Sequence, residues 1–378
     1  MADPRVEGAV VLYRLYDVGY EVDLERALDV LATTPEDRAA LRLTLEKRRR
    51  VEAQAIRIEN PPITIPLGLD QLVVGAYQHE VQVSARIFDF GAVSLRLHLP
   101  IPPSLTWSAL AGFGDAWELT AASRPVFDGH LGRLTHRIAA AIARPELAPV
   151  TEDYVVYRIT RLVDSRGETL PATRVRELDV VPLLLNEDRP ISEQARRELL
   201  PHWFSYYADD LSIITWNTAL VLDPVEGDSD VQLILEFANA QLLELRYYDA
   251  LLDAELPRMN DRVASARSGG RALLGRRYAS LLGDLQTLVA DSTEIVERAE
   301  NALKVTDDIY LARVYGAALE VFRERAWRSG IDHKLGILHQ TYGMLNGESM
   351  AARNEVLEAA IILLIVVEIV LALVLGRG

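Results

Sequence analysis

The sequence predicts an α+β protein: an N-terminal α/β domain with an antiparallel sheet, then a long helical hairpin or bundle ending in one C-terminal transmembrane helix. Three observations carry that reading. Short segments rich in β-branched and aromatic residues recur up to Asp223, the composition of strands. From Asp228 onward a series of amphipathic helical patterns follows without a strand signal. The run 356–375 is apolar except for Glu358 and Glu368, and roughly 20 apolar residues span the ~30 Å of a bilayer's hydrocarbon.

Taken in order, residues 9–18 (Ala-Val-Val-Leu-Tyr-Arg-Leu-Tyr-Asp-Val) read as a strand. Asp23 is placed to cap a helix with Leu24, Ala27, Leu28 and Leu31 on one face. Pro35 opens a second helix ending in Lys47-Arg48-Arg49-Arg50, a basic run suited to the negative end of a helix dipole. Val81, Val83, Ala85 and Ile87 alternate with Gln82, Ser84 and Arg86, the period-2 pattern of a half-buried strand. Phe88-Asp89-Phe90-Gly91 carries the chain into a further strand at 92–97, and residues 107–119 and 129–143 read as helices.

Residues 154–159 (Tyr-Val-Val-Tyr-Arg-Ile) resemble 10–15 (Val-Val-Leu-Tyr-Arg-Leu), and 213–219 resemble 87–93, in the same order. This suggests a duplicated α/β unit, 1–148 and 149–226, each with antiparallel strands and helices on one face. A long-helix bundle then covers 227–355 and the transmembrane helix 356–375. Asp228 or Ser229 caps the first bundle helix, which runs to about residue 256, where Pro257 ends or kinks it. Helices follow at 271–304 and 307–327, and a last one from Ile331 continues into the anchor.

Composition narrows the function. A net charge of −15 argues against nucleic-acid binding through the whole surface. With no cysteine there is no disulfide framework, thiol nucleophile or cysteine-based metal site. The N-terminus has neither a secretory-signal nor a transit-peptide pattern. With the apolar tail, this predicts a single-pass protein of a prokaryote's inner (cytoplasmic) membrane, its N-terminal bulk cytoplasmic. Phosphate-loop, dinucleotide-binding and nucleophile-elbow motifs are absent. His130 and His136 are six apart and face different sides of a helix. Asp209-Asp210 reads as turn chemistry, and the patch of Trp203, Phe204, Tyr206 and Tyr207 as core or domain interface. No catalysis, cofactor, metal or small-molecule substrate is expected.

Residues 307–375 resemble the "required for meiotic nuclear division" family, a domain of unknown function with membrane-anchored mitochondrial, fungal and bacterial members. The resemblance lies in Asp307-Asp308 before Leu311 and Tyr315, in Ile331, Lys334 and Leu338, and in a helix through Met344 and Leu345. It is closest at Leu357-Glu358, Ile361-Ile362, Leu364-Ile365 and Glu368, which match the family's membrane segment. Phe88-Asp89-Phe90-Gly91-Ala92-Val93 is similar to its Phe-x-Phe-Gly-x-Val signature, while Ala359 stands where many members have Trp. The resemblance implies a membrane-anchored, self-associating protein without catalysis. It also implies a link to translation or ribosome support at the membrane.

Two sets of residues carry sharper expectations. A carboxylate inside a membrane helix normally faces a bundle or water, which makes Glu368, with Glu358, a candidate for an intramembrane or oligomer interface. Arg258, Arg262, Arg267, Arg271, Arg276 and Arg277 face the single acid Asp261, a candidate docking site for an anionic partner such as ribosomal RNA. The leading function is a membrane-anchored homo-oligomeric scaffold or tether, its partners being itself, the lipid bilayer and a ribosome or other anionic partner. The alternative is a channel- or transport-like assembly with Glu368 lining a central path.

Overall fold

A computed structural model describes residues 3–32, 60–225, 227–268, 283, 286–287, 290 and 308–375. The chain divides into two compact units, Met1–Tyr247 with Ala299–Arg325, and Tyr248–Arg298 with Ala326–Gly378. The helix expected from Pro35 and its run Lys47 to Arg50 lie outside the described residues, as does nearly all of the helix expected at 271–304.

The first unit is built on β1 (Arg5–Asp17). Its valines, leucines and tyrosines are buried almost without interruption, which a strand covered on both faces requires. β2 (Gly19–Val22) follows, then α1 (Leu24–Leu31), where Asp23 accepts the Arg26 N–H as the expected cap. β3 (Ile63–Val74), β4 (Tyr77–Ile87) and β5 (Ala92–Pro100) form a meander. Phe88 to Gly91 make the β4–β5 turn, and a Cβ on Gly91 would lie 1.8 Å from the Gly19 carbonyl oxygen, so the turn tolerates only glycine there.

α2 (Trp107–Phe113) and α3 (Ala116–Ile138) follow. They are two helices rather than the expected one at 107–119, because Asp115 interrupts the first and caps the second through the Glu118 N–H. After β6 (Ile142–Pro145) and β7 (Thr151–Val163) come α4 (Val181–Leu185), α5 (Glu193–Leu199), β8 (Trp203–Phe204), β9 (Leu211–Ile214) and β10 (Thr218–Leu222). The long helices are α6 (Asp230–Ser268), α7 (Ile309–Val321) and α8 (Glu324–Leu375).

Eight strands form one sheet in the order β3-β4-β5-β1-β7-β10-β9-β8, with β2 and β6 paired beside it. β1 is antiparallel to both β5 and β7, but β10 lies parallel to β7. The sheet is therefore mixed, which corrects the antiparallel expectation. The chain between β7 and β10 is long enough for the crossover a parallel pair needs. Strands on both sides of residue 149 share this sheet. The β4–β5 and β9–β10 hairpins flank the central β1–β7 pair, and one joins it antiparallel, the other parallel.

Each face of the sheet has its own cover. Leu119, Phe127, Leu131, Leu134 and Ile138 of α3 pack in one apolar core with Val10, Leu12, Val83, Leu97, Val155 and Tyr157. On the opposite face the first part of α6 reaches the strands through Gln232 to Tyr13, Glu236 to Arg86 and Phe237 to Phe88. Ser229 caps that helix by accepting the Val231 N–H. With both faces covered, Arg86 on β4 is buried, against the half-exposed strand its alternation suggested.

In the second unit, α6 continues through Pro257 to Ser268, so the proline does not end the helix. It removes one N–H donor, but the turns around it are anchored: Leu252 and Met259 are buried, and Lys334 pairs with Asp249 and Asp253 at 2.7 and 2.6 Å. Ile331, Leu335 and Leu338 of α8 are buried at i, i+4, i+7 spacing.

α8 runs unbroken from Glu324 to Leu375, yet among the described residues no helix is long and apolar enough to cross a membrane. Glu358 and Glu368 both interrupt its apolar run. The expected transmembrane helix, single-pass topology and inner-membrane placement are corrected accordingly.

Candidate functional site

Glu358 and Glu368 sit on α8 and both are exposed. Their large apolar neighbours are exposed as well. Leu357, Ile361 to Val367 and Ile369 to Leu371 each retain between 46% and 68% of their accessible surface. Successive residues turn by about 100°, so this exposed apolar surface runs round the whole helix rather than along one stripe.

Of the arginines expected to form one basic tip, Arg258 alone has a described side chain. Arg258 lies on α6, exposed, and pairs with Glu255 three residues earlier at 2.6 Å. Arg262 and Arg267 lie on the same helix, and Arg271, Arg276 and Arg277 fall outside the described residues. Asp210 accepts the Tyr206 N–H at 2.7 Å, the turn chemistry expected of it. Phe204 is buried, whereas Tyr206 and Tyr207 are exposed.

A concave site lies on the α3 side of the sheet. Between α3 and the end of β1 is an open groove of about 710 Å3, within the size range of small-molecule pockets. Asp128, Gly132 and Thr135, at i, i+4 and i+7 on one stripe of α3, line it together with Ala139 just past the helix end. Two of these four are small, which is why there is room. A Cβ on Gly132 would meet nothing within 4 Å. Val18, Leu131, Ile142 and Leu147 supply the apolar lining, and His136 and Glu146 the rest of the polar lining.

Tyr16, buried at the base, donates its hydroxyl proton to Asp128 Oδ1 at 3.0 Å. Burial and the nearby Asp128 carboxylate raise the phenol's pKa far above its ordinary value, partly offset by Arg14, so Tyr16 is a neutral donor. Arg14 reaches both oxygens of Asp153 at 2.8 Å and Thr151 at 3.1 Å, and lies over the Tyr16 ring. Its charge is thus committed to Asp153 rather than Asp128.

The opposite face is charged but filled. Arg86 pairs with Glu236, and Arg96 donates to Asp228 at 2.6 Å. Both side chains of the Arg86–Glu236 pair are almost wholly inaccessible, 2% and 1% exposed. At the far end of this face Asp17 and Glu152 are buried. Burial pushes the Asp17 carboxyl up to about 7, helped by Glu146 and opposed by the Gly19 N–H. Burial likewise pushes Glu152 up to about 7, although its ion pair with Arg246 works the other way. Among the described residues no group of three or more metal-ligating side chains is placed to hold an ion.

Sequence reasoning missed the groove because its polar partners are far apart along the chain. Tyr16 and Asp128 are separated by 112 positions, and an aromatic residue inside a strand reads as core. The one available signal was Gly132 with Ala139, small residues seven positions apart at the end of α3 and just past it.

A family model described as the N-terminal domain of the uncharacterized protein MJ0711 matches residues 7–229. The chain belongs to that family. The match takes in the eight-stranded sheet except the first two residues of β1, includes the groove, and stops before α6. The protein MJ0711 of Methanocaldococcus jannaschii is 27% identical over 191 residues, 50% of this chain and 58% of that protein. The chain thus matches less than two thirds of that relative's length. No solved structure matches.

Proposed function

We propose that this member of the MJ0711 N-terminal domain family is a self-associating scaffold, in which α8 gathers several copies of the sheet-bearing unit. The observation that carries the reading is the exposed apolar stretch of α8 between Leu357 and Leu371. It presents on the order of 1,000 Å2 of apolar surface, whereas monomers rarely expose a contiguous patch above a few hundred Å2 and a stable interface buries ~800 Å2 per partner.

The occupant is a second copy of the same helix, and more than one. A helix apolar along a single stripe is covered by one neighbour; this one is apolar round its circumference, so several neighbours are needed. Leu363, Val366 and Val370 follow the 3-4 spacing of a coiled-coil seam. With those three inward, Glu358 and Glu368 fall on outward positions, where both stay hydrated.

Light scattering on the full chain tests this. We expect a mass of more than two copies for the natural sequence and of one copy for the Leu363→Asp, Val366→Asp, Val370→Asp variant. A natural chain that stays monomeric up to about 100 µM, a concentration at which micromolar association is essentially complete, would sink the reading.

A further inference from the structure

We propose that the groove between α3 and β1 binds a small organic ammonium ion with a short apolar body. This site is separate from the α8 surface and stands without the scaffold reading. Three features point to that chemistry. The first is shape: the groove is concave, holds about 710 Å3, and owes its room to Gly132 on α3 and Ala139 just past the end of that helix. An apolar body is accommodated by Leu131, Ile142 and Leu147, the last 59% exposed although it lines the groove.

The second is charge. Asp128 and Glu146 both line the groove, and neither forms an ion pair among the described residues. The nearby guanidinium of Arg14 is held by Asp153 and Thr151, so it leaves Asp128 un-neutralised. A carboxylate beside an apolar surface favours a cation that brings its own hydrogen-bond donors.

The third is orientation. The buried Tyr16 hydroxyl donates to Asp128 Oδ1, which fixes the carboxylate and leaves Oδ2 free to accept from an ammonium N–H. Tyr16 keeps its proton near neutral pH, because burial and Asp128 hold its pKa high. Tyr16 is thus a positioning residue and Asp128 the contact with the ligand. An anionic ligand would face two carboxylates, and a neutral one would leave Asp128 unpaired.

Titration calorimetry on the full chain with n-hexylammonium, n-hexanoate and n-hexanol decides the matter. Hexylammonium is expected to bind at one saturable site, about tenfold or more tighter than either of the others. Asp128→Asn, at an exposed position, should weaken it about tenfold while leaving hexanol unchanged. Gly132→Phe fills the groove from a position where an added Cβ meets no neighbour within 4 Å, and should abolish binding with the circular dichroism spectrum intact. The proposal is overturned if hexylammonium shows no saturable binding or if hexanol or hexanoate binds as tightly. It is equally overturned if both variants bind like the natural chain.

Discussion

Two helical stretches of this chain invert the usual relation between polarity and burial. Residues 231–245 of α6 are buried throughout, yet they include Gln232, Glu236, Asn239, Gln241 and Glu244. Residues 357–371 of α8 are exposed throughout, yet they are apolar apart from Glu358 and Glu368. The first stretch finds its partners inside the chain. Arg86 pairs with Glu236, Tyr13 accepts from Gln232, and Tyr315 donates to Gln241. The second has apolar surface that stays exposed among the described residues. Buried polar groups are tolerated when they are paired, and exposed apolar groups persist when a partner outside the chain covers them.

The largest test breaks the first half of that contrast. Glu236→Ala would take from the buried Arg86 its closest carboxylate and leave it the longer contact to Asp228 at 3.5 Å, and removing one partner of a buried pair costs about 3–5 kcal/mol. Urea unfolding of the full chain, followed by tryptophan fluorescence, should show that loss. Arg86→Met with Glu236→Leu removes both charges and should restore stability to the natural level or above. A loss under about 1 kcal/mol for Glu236→Ala, the scale of an exposed ion pair, would mean that this pair does not hold α6 against the sheet.

A smaller effect per pH unit comes from the same face. Asp17 and Glu152 both have native pKa values raised to about 7, chiefly by burial. Their unfolded values lie near 4, so between pH ~4 and ~7 the native state binds more protons than the unfolded one. Stability should therefore fall as pH rises through that window, by at most about 1.4 kcal/mol per pH unit for each group. Above pH ~7 both are charged in either state and the dependence flattens. Asp17→Asn keeps an acceptor for the Gly19 N–H and should lessen the slope while stabilising the protein at pH 8. An unchanged slope would show that Asp17 titrates in contact with water.

What could be read from the sequence was local. The Asp23 cap, the strand at 9–18 and the Phe88–Gly91 turn each depend on residues within a few positions of one another. The second layer was not legible, because Arg86 alternates correctly for a solvent-facing position while its partner Glu236 lies 150 residues away. The same distance problem hid the parallel β10 and the Tyr16–Asp128 pair. Pro257 misled for a different reason. The cost of one lost helical hydrogen bond is visible in sequence, but the burial of Leu252 and Met259 on either side is not. The apolar run at 356–375 was legible as apolar and misread as membrane-spanning, since composition alone does not say what covers a helix.

The smallest effect is the one that sharpens the second half of the contrast. Glu368 shares a face of α8 with Leu364, Ile365 and Leu371, four, three and three residues away. If that face were the seam between copies, Glu368→Leu would remove a carboxylate from an apolar interface, and the mass of the assembly would rise or its dissociation slow. With Leu363, Val366 and Val370 inward, Glu368 points outward, and Glu368→Leu should leave the copy number measured by light scattering unchanged. Only solubility should fall, since one of two charges on a large apolar surface is lost. A change in copy number would put Glu368 back in the interface and move the seam by one residue to Leu364 and Leu371.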